Sequence, residues 1–398
     1  ITSLFGKKLP NIPEGYNYDF INTDALLNLL SFDKNRLVTA SGMQYRLLVL
    51  DSNSRHLPLN VLQKIEALVK SGAIVSGSKP IATTGLQENS IAFNTLVNEL
   101  WGNDDSPKTV GSGKVFPTSD IEQVLNMLKL QPDFRYTKST SKEEVLFVHR
   151  KWDGQEFYWI NSRSNQYEQV EASFRVAGKS VEIWHPETGE KESVSYTTEN
   201  GRTHLQLKLS PNDAIFVVFG KSNPQSSSHI PAATETVITR LEQPWKVAFQ
   251  KDRGAPAATI MDKLVSWTEN TDEGIKYFSG TAAYTQTINA AADWFKSNSQ
   301  LWIDLGAVKN IAEVFVNGKS AGIVWKHPFK VNIGKLLKPG KNQLEIRITN
   351  LWVNRLIGDQ QPRVTHKITY TTMPFYKADS PLLPSGLLGP VRIISERR

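Results

Sequence analysis

The chain has 398 residues, 39% of them hydrophobic and 21% charged, a length for two to four domains and enough apolar material for packed cores, so a disordered chain is excluded. Lysine and arginine total 46 against 39 acidic residues, a net charge of +7; the basic residues are scattered singly, the pattern of a solvated surface and not of a nucleic-acid groove. There is no cysteine, which removes disulfides, thiolate metal sites and cysteine nucleophiles together, and no run approaches the ~18 apolar residues of a membrane span.

The opening ITSLFGKKLP has neither a signal-peptide pattern nor an initiator methionine, and the chain is expected to be an excised piece of something longer. Residues 1–140 alternate apolar runs with helical patterns. Asp24 and Ala25 lead into Leu26, Leu27, Leu29 and Leu30, a helix start. Tyr45–Leu50 predicts one continuous buried strand and Asp51–His56 a loop. Leu59, Leu62, Ile65 and Val69 recur at helical spacing, Gly72 sits where a helix ends, and AIVSG opens the next strand. Strand, helix, strand at this spacing predicts a parallel, helix-covered sheet. Further helices are predicted over 90–101 and 119–130.

Near residue 140 the period changes. EEVLFVHRK, QEFYWINS, YEQVEASFRV, KSVEIWHPETGE, HLQLKLS and AIFVVFG are short alternating strands divided by Asp153-Gly154, Ala177-Gly178, Thr188-Gly189 and Asn200-Gly201; they predict a small antiparallel β-domain over 141–222. Lys221–Ala233, rich in serine and proline, is the linker candidate. Strands dominate again over 223–398, with Asn317-Gly318 a hairpin signal, and about eight strands in this length predict a jelly-roll sandwich.

Chemistry has few footholds in the α/β region. The turn after Tyr45–Leu50 has no glycine, and Gly111–Lys114 (GSGK) lacks the frame of a phosphate loop. No G-x-S-x-G elbow occurs, and His56, His149, His185, His204, His229, His327 and His366 form no i, i+4 helix pair, so no zinc site is visible. A glycosidase carboxylate pair needs a cleft, and the chain is too short and too β-interrupted for a complete βα barrel of about 250 residues. Asp304, Glu313 and Glu345 fall in alternating strands and read as outward, solvated positions.

The richest pattern lies between VWKHPF and TNLWVNRLIGD. Trp325 and Trp352 offer faces for sugar C–H surfaces; Asn350, Asn354, Arg355 and Asp359 offer the directional bonds that hydroxyls need. The competing reading makes the tryptophans core or interdomain anchors and Arg355–Asp359 an ion pair fixing a loop. On that reading Trp352 is mostly buried and Arg355 contacts a carboxylate or backbone carbonyls.

LWIDLGAVKNIAEVFVNGKSAGIVWKHPFKVNIG, NLWVNRLIGD and PSGLLGPVRI resemble the galactose-binding-like jelly roll of family 2-like glycoside hydrolases. HRKWDGQEFYWINSRS, FRVAGKSVEIWHPETGE and AIFVVFG narrow the resemblance to the C-terminal, non-barrel part of bacterial glycoside hydrolase family 106 proteins, the α-L-rhamnosidases. The opening NYDFINTDALL with YRLLVLDSN resembles their amidotransferase-like α/β domain, here without a nucleophile. The resemblance implies three units: an α/β domain (1–140), a small β-sandwich (141–222) and a jelly roll (223–398). It implies an inverting, two-carboxylate parent enzyme with calcium in its site, acting on plant or microbial glycans in the periplasm or outside a bacterial cell. The catalytic barrel is not in this chain, so no catalytic residue is carried over, no cofactor is assigned, and the missing barrel becomes the expected partner. The alternatives are a freestanding carbohydrate-binding protein, marked by an exposed aromatic platform, and a complete hydrolase, marked by two carboxylates facing one cleft.

Overall fold

The computed structural model describes residues 12–85, 89–138, 141–142, 144–223, 225–295 and 299–397, and the side chains of all these except 52 and 53; the opening ITSLFGKKLP, Glu143 and Pro224 of the linker candidate lie outside them. The protein is β-rich, with several antiparallel sheets, and its buried apolar side chains fall into three clusters.

The first cluster surrounds the helix Leu59–Ser71, whose Leu62, Ile65 and Val69 are fully buried. Gly72 closes it at a φ of 126°, where a Cβ would meet the Phe32 ring at 2.7 Å. Three strands lie parallel beneath it: Leu48–Val49, Ile74–Ser76 and Gly113–Phe116. The expected helices form at Thr23–Asn28, Ser90–Trp101 and Ile121–Met127. Two expectations are corrected. The sheet is mixed, because Lys108–Val110 returns antiparallel onto Gly113–Phe116 and makes GSGK a hairpin turn. Tyr45–Leu50 is not one strand: Gln44–Tyr45 pairs with Leu37 and Val38 of a separate antiparallel sheet, the chain bends at Arg46, and only Leu48–Val49 joins the parallel strands. One apolar run thus serves two sheets.

Two five-stranded antiparallel sheets enclose the second cluster, which includes Tyr158, Phe174, Val217 and Phe219. The strand Phe134–Lys138 belongs to one of them, pairing with Glu168–Phe174. The stretch from Lys221 is largely exposed yet laced to this unit: Ser227–Ser228 pairs with Tyr196–Thr197, and Asn223 Nδ2 donates to the Tyr196 hydroxyl at 3.0 Å.

The third cluster lies between a four-stranded sheet (Thr234–Arg240, Arg392–Arg397, Ser299–Asp304, Lys330–Asn332) and a six-stranded one (Ala258–Met261, Trp245–Phe249, Thr281–Ala290, Gly340–Thr349, Ile311–Val316, Lys319–Val324). The Asn317-Gly318 turn joins the last two strands of the larger sheet, both residues at positive φ as a tight hairpin requires. At the centre Trp267 is fully buried, and its indole N–H donates to the Tyr284 hydroxyl at 2.5 Å. One charged contact ties the second and third units together. The Lys326 ammonium lies against Asp213 and 2.9 Å from Glu187, with all three side chains mostly buried. Asp213 is itself fixed by accepting the backbone N–H groups of Ser210 and Ala214.

Trp267→Ala removes a fully enclosed indole and leaves the Tyr284 hydroxyl with only the longer bond from the Leu387 N–H, at 3.3 Å. Chemical denaturation should show a loss of about 3–5 kcal/mol, confined to the transition of the C-terminal unit if the units melt separately.

Candidate functional site

All six side chains singled out from the sequence sit at one end of the six-stranded sheet. Phe249 pairs with Ala282, Thr281 with Thr349, Thr349 with Ile311, and Ala312 with Val324, so these strands stop at a common edge. From that edge emerge the turn beginning at Gln250, the segment Trp325–Phe329, and Asn350 leading into the helix Val353–Gly358. Two strand spacings, about 10 Å, separate the line of Val324 from that of Thr349. Trp325 therefore stands apart from the other five, and its neighbours Lys326 and His327 turn to the middle unit; the His327 and Tyr167 rings are 6.3 Å apart.

The polar members bond inside the fold. Asn350 accepts the Gly280 N–H at 2.9 Å and donates to the Phe278 carbonyl at 2.8 Å. Asn354, buried, clamps Leu383 from both sides, donating to its carbonyl at 2.7 Å and accepting its N–H at 2.9 Å. Arg355 Nε lies 3.1 Å from Asp359 Oδ1, one helical turn on, with both side chains buried. The other oxygen of Asp359 accepts three bonds from the far side of a loop: Ile368 N–H at 3.1 Å, Thr369 N–H at 2.7 Å and the Thr369 hydroxyl at 2.6 Å. Burial pushes the Asp359 carboxyl up, but the Thr369 and Ile368 donors and the Arg355 charge outweigh it, and the group titrates below its ordinary range. Gly358 is required here, because a Cβ would lie 2.4 Å from the Arg355 guanidinium and 2.6 Å from Tyr277. The irregular stretch 360–385 is thus held at Asp359 and Asn354, with a further tie from Gln361 Nε2 to the Ala378 carbonyl at 2.9 Å.

The aromatic members behave otherwise. The expected burial of Trp352 is corrected: it is 47% exposed, and Trp325 is 59% exposed. The interior seat at this end is already filled by Trp267 and Phe278, whose rings meet edge to face at 5.3 Å. Trp352 remains outside, at the start of the helix, with the Arg253 guanidinium 4.8 Å from its ring centre. Asp304 is corrected as well. It is 8% exposed, 2.5 Å from Arg392, and accepts the Gly306 N–H. Strand alternation put it outside, but the basic strand beside it, Arg392–Arg397, supplies a partner that draws it in. Glu313 accepts the Ser320 hydroxyl and Glu345 pairs with Arg347 at 2.6 Å.

A second polar centre escaped the sequence reading because Asp133, which precedes the strand Phe134–Lys138, is distant in sequence from the hairpin that carries the other members. His149 Nδ1 is 2.6 Å from Asp133, its Nε2 is 3.0 Å from Glu156, and its ring stacks on the buried Tyr158 at 4.0 Å. Tyr158 donates to Asp133 at 3.1 Å; Arg175 also reaches Asp133, and Lys151 and Lys179 reach Glu156. Burial pushes His149 down, but the hydrogen bonds and charges of both carboxylates outweigh it and raise it. Burial likewise pushes the carboxyls up, yet Asp133 ends below its usual value and Glu156 at about 2, held by His149 and the neighbouring cations. Two flanking carboxylates favour the charged form of the imidazole, an arrangement that suits cross-linking of strands and not proton abstraction. Among the described residues no three His, Asp or Glu side chains are grouped to hold a metal ion, and no helix among them is long and apolar enough to cross a membrane.

The comparisons make this a glycoside hydrolase-related protein. Residues 1–198 match glycoside hydrolase family 106, the alpha-L-rhamnosidase family, and the chain belongs to it. A solved rhamnosidase from Novosphingobium sp. PP1Y is 41% identical with a TM-score of 0.86, covering 97% of this chain and 37% of its own. A curated protein of Formosa agariphila, provisionally named a beta-glucuronidase, is 24% identical over 97% of this chain and 53% of its own length. The chain thus spans about half of that curated relative.

Removing the Asp359 carboxylate leaves Arg355 buried without its partner and frees Ile368 and Thr369. Asp359→Ala should cost about 3–5 kcal/mol in denaturation and open 360–385 to limited proteolysis before any strand is cut. The His149 centre sets a pH dependence. A raised imidazole stabilises fully below its unfolded value of 6.5, and the contribution is lost as pH rises through the higher folded value. Lowered carboxyls stabilise above their unfolded values, 3.8 for Asp133 and 4.5 for Glu156, and lose that as pH falls towards about 2. Melting temperature should therefore be highest between about pH 5 and 6.5 and decline towards pH 9, and His149→Gln should flatten the alkaline decline.

Proposed function

We propose that this chain is the accessory, carbohydrate-binding-type part of a bacterial α-L-rhamnosidase-like enzyme whose catalytic barrel lies outside it. The three units read as an amidotransferase-like α/β domain without its nucleophile (1–140), a small β-sandwich (141–222) and a galactose-binding-like jelly roll (223–398). The parallel strands under Leu59–Ser71 support the first name. The four- and six-stranded antiparallel sheets over one core support the last.

One observation carries the reading. At the loop end of the large sheet the polar side chains are spent on the fold, while the Trp325 and Trp352 rings face solvent. That is the make-up of a brace and contact surface; a hydrolytic centre keeps two carboxyls free to face a glycosidic bond. The substrate of the whole enzyme would carry terminal α-L-rhamnosyl groups on a plant or microbial glycan, met in the periplasm or outside the cell. A second reading, a freestanding carbohydrate-binding protein, draws on the same exposed Trp352.

The isolated chain should give no turnover of p-nitrophenyl α-L-rhamnopyranoside or related aryl glycosides, whereas a longer protein restoring the remaining length of the solved relative should. Specific turnover by the chain alone, persisting through repurification, overturns the accessory reading. Tight binding of a rhamnose-bearing glycan by the chain, with no gain in activity when the longer protein is made, favours the freestanding binder.

A further inference from the structure

We propose that Trp352, Arg253 and Tyr370 form a surface subsite for an anionic sugar, a hexuronate residue of the glycan. The inference rests on the carbohydrate-active reading above and adds the chemistry of the ligand and the residues that take it.

Three separate chain segments converge there. Arg253 follows the strand Trp245–Phe249, Trp352 follows Gly340–Thr349, and Tyr370 belongs to the loop pinned by Asp359. They meet closely: a Cβ at Gly254, next to Arg253, would lie 2.9 Å from Ile368 Cδ1 and 3.1 Å from Arg355 Nη1. Tyr370 is two residues beyond Ile368, within about 7 Å along the chain, and directly follows Thr369, which Asp359 holds by two hydrogen bonds. The loop is therefore fixed where it presents Tyr370, which is 88% exposed. A bulky aromatic side chain displayed on a loop secured by a buried ion pair is pre-ordered for contact, and little further ordering is needed on binding.

Arg253 decides the ligand. It is only partly exposed, lies over Trp352, and has no carboxylate within salt-bridge distance among the described residues. Its immediate neighbour Asp252 is exposed with the backbone at a φ of 61°, and Asp272, on the adjoining segment, is occupied in capping Gly274 and Ile275. A guanidinium laid on an indole keeps its N–H fork free at the edge, and that fork matches a planar carboxylate. A pyranose with its C–H face against the rings and its C6 carboxylate towards Arg253 uses both elements at once; a neutral sugar uses only the first.

Isothermal titration of the chain with trigalacturonate, and with α-1,4-linked galactotriose as the uncharged counterpart, tests this. Trigalacturonate should bind about tenfold more tightly than galactotriose, with the advantage shrinking as salt rises. Arg253→Gln should abolish the difference while leaving galactotriose unchanged. Trp352→Ala should weaken both about tenfold and Tyr370→Ala should weaken both to a smaller degree, each in a chain that still unfolds cooperatively. Equal affinity for the two trisaccharides, no binding of trigalacturonate at millimolar concentration, or wild-type discrimination by Arg253→Gln overturns the subsite. Turnover of aryl rhamnosides by the chain alone would overturn the accessory reading and leave these binding results to be judged separately.

Discussion

The buried pair Arg355–Asp359 is the constraint on which the loop end of the C-terminal unit depends. Two opposite charges one helical turn apart inside a protein are tolerated only when every remaining polar valence is met. One oxygen of Asp359 takes three donors from Ile368 and Thr369, while the other faces Arg355 Nε as an ion pair. The same requirement that neutralises the pair thus folds back a stretch of more than twenty residues without regular structure. Gly358 shares in this, since only a residue without Cβ leaves room for the guanidinium beside Tyr277. Asn354 repeats the device at Leu383, so the stretch is tied at both ends to a helix of only six residues.

A division of labour follows. Polar residues that sequence alone offers as sugar contacts become internal fasteners, and the aromatic residues among them remain outside. The pattern is economical for a β-unit with little helical scaffolding: hydrogen bonds order the loops, and the aromatic rings that the core cannot seat become available for contact. Lys326 extends the logic between units. Its ammonium, held by Asp213 and Glu187, ties the segment that begins with the exposed Trp325 to the middle β-unit.

Much of the fold was legible in the chain because period and punctuation coincide. The run Leu59 to Val69 with Gly72 specifies a helix and its end, and Asn317-Gly318 specifies a hairpin. Tyr45–Leu50 was misread because periodicity reports burial and not partner: a mostly apolar run looks alike whether it enters one sheet or two. Trp352 was misread because its size argues for burial while occupancy decides it, and Trp267, distant in sequence, had the seat. Asp304 was misread because alternation ignores the neighbouring strand that brings Arg392. The His149 centre was invisible for a related reason. The Asp153-Gly154 hairpin sets His149 opposite Tyr158, with Glu156 on the same strand as Tyr158, but nothing in the spacing brings Asp133, just before the strand Phe134–Lys138, to meet them.

These two charged centres bear differently on function. His149 is enclosed by two carboxylates and a tyrosine ring, and its contacts run to neighbouring strands. Arg355 is likewise enclosed, but what it organises is a surface. Through Asp359 it fixes Thr369 and hence the exposed residue that follows, and through its contact at Gly254 it borders the segment that carries Arg253. A buried ion pair contributes little net stability against an apolar replacement of equal volume. Its presence at this place is therefore better explained by the geometry it imposes, since an apolar pair would fill the space without capturing the backbone N–H groups of Ile368 and Thr369.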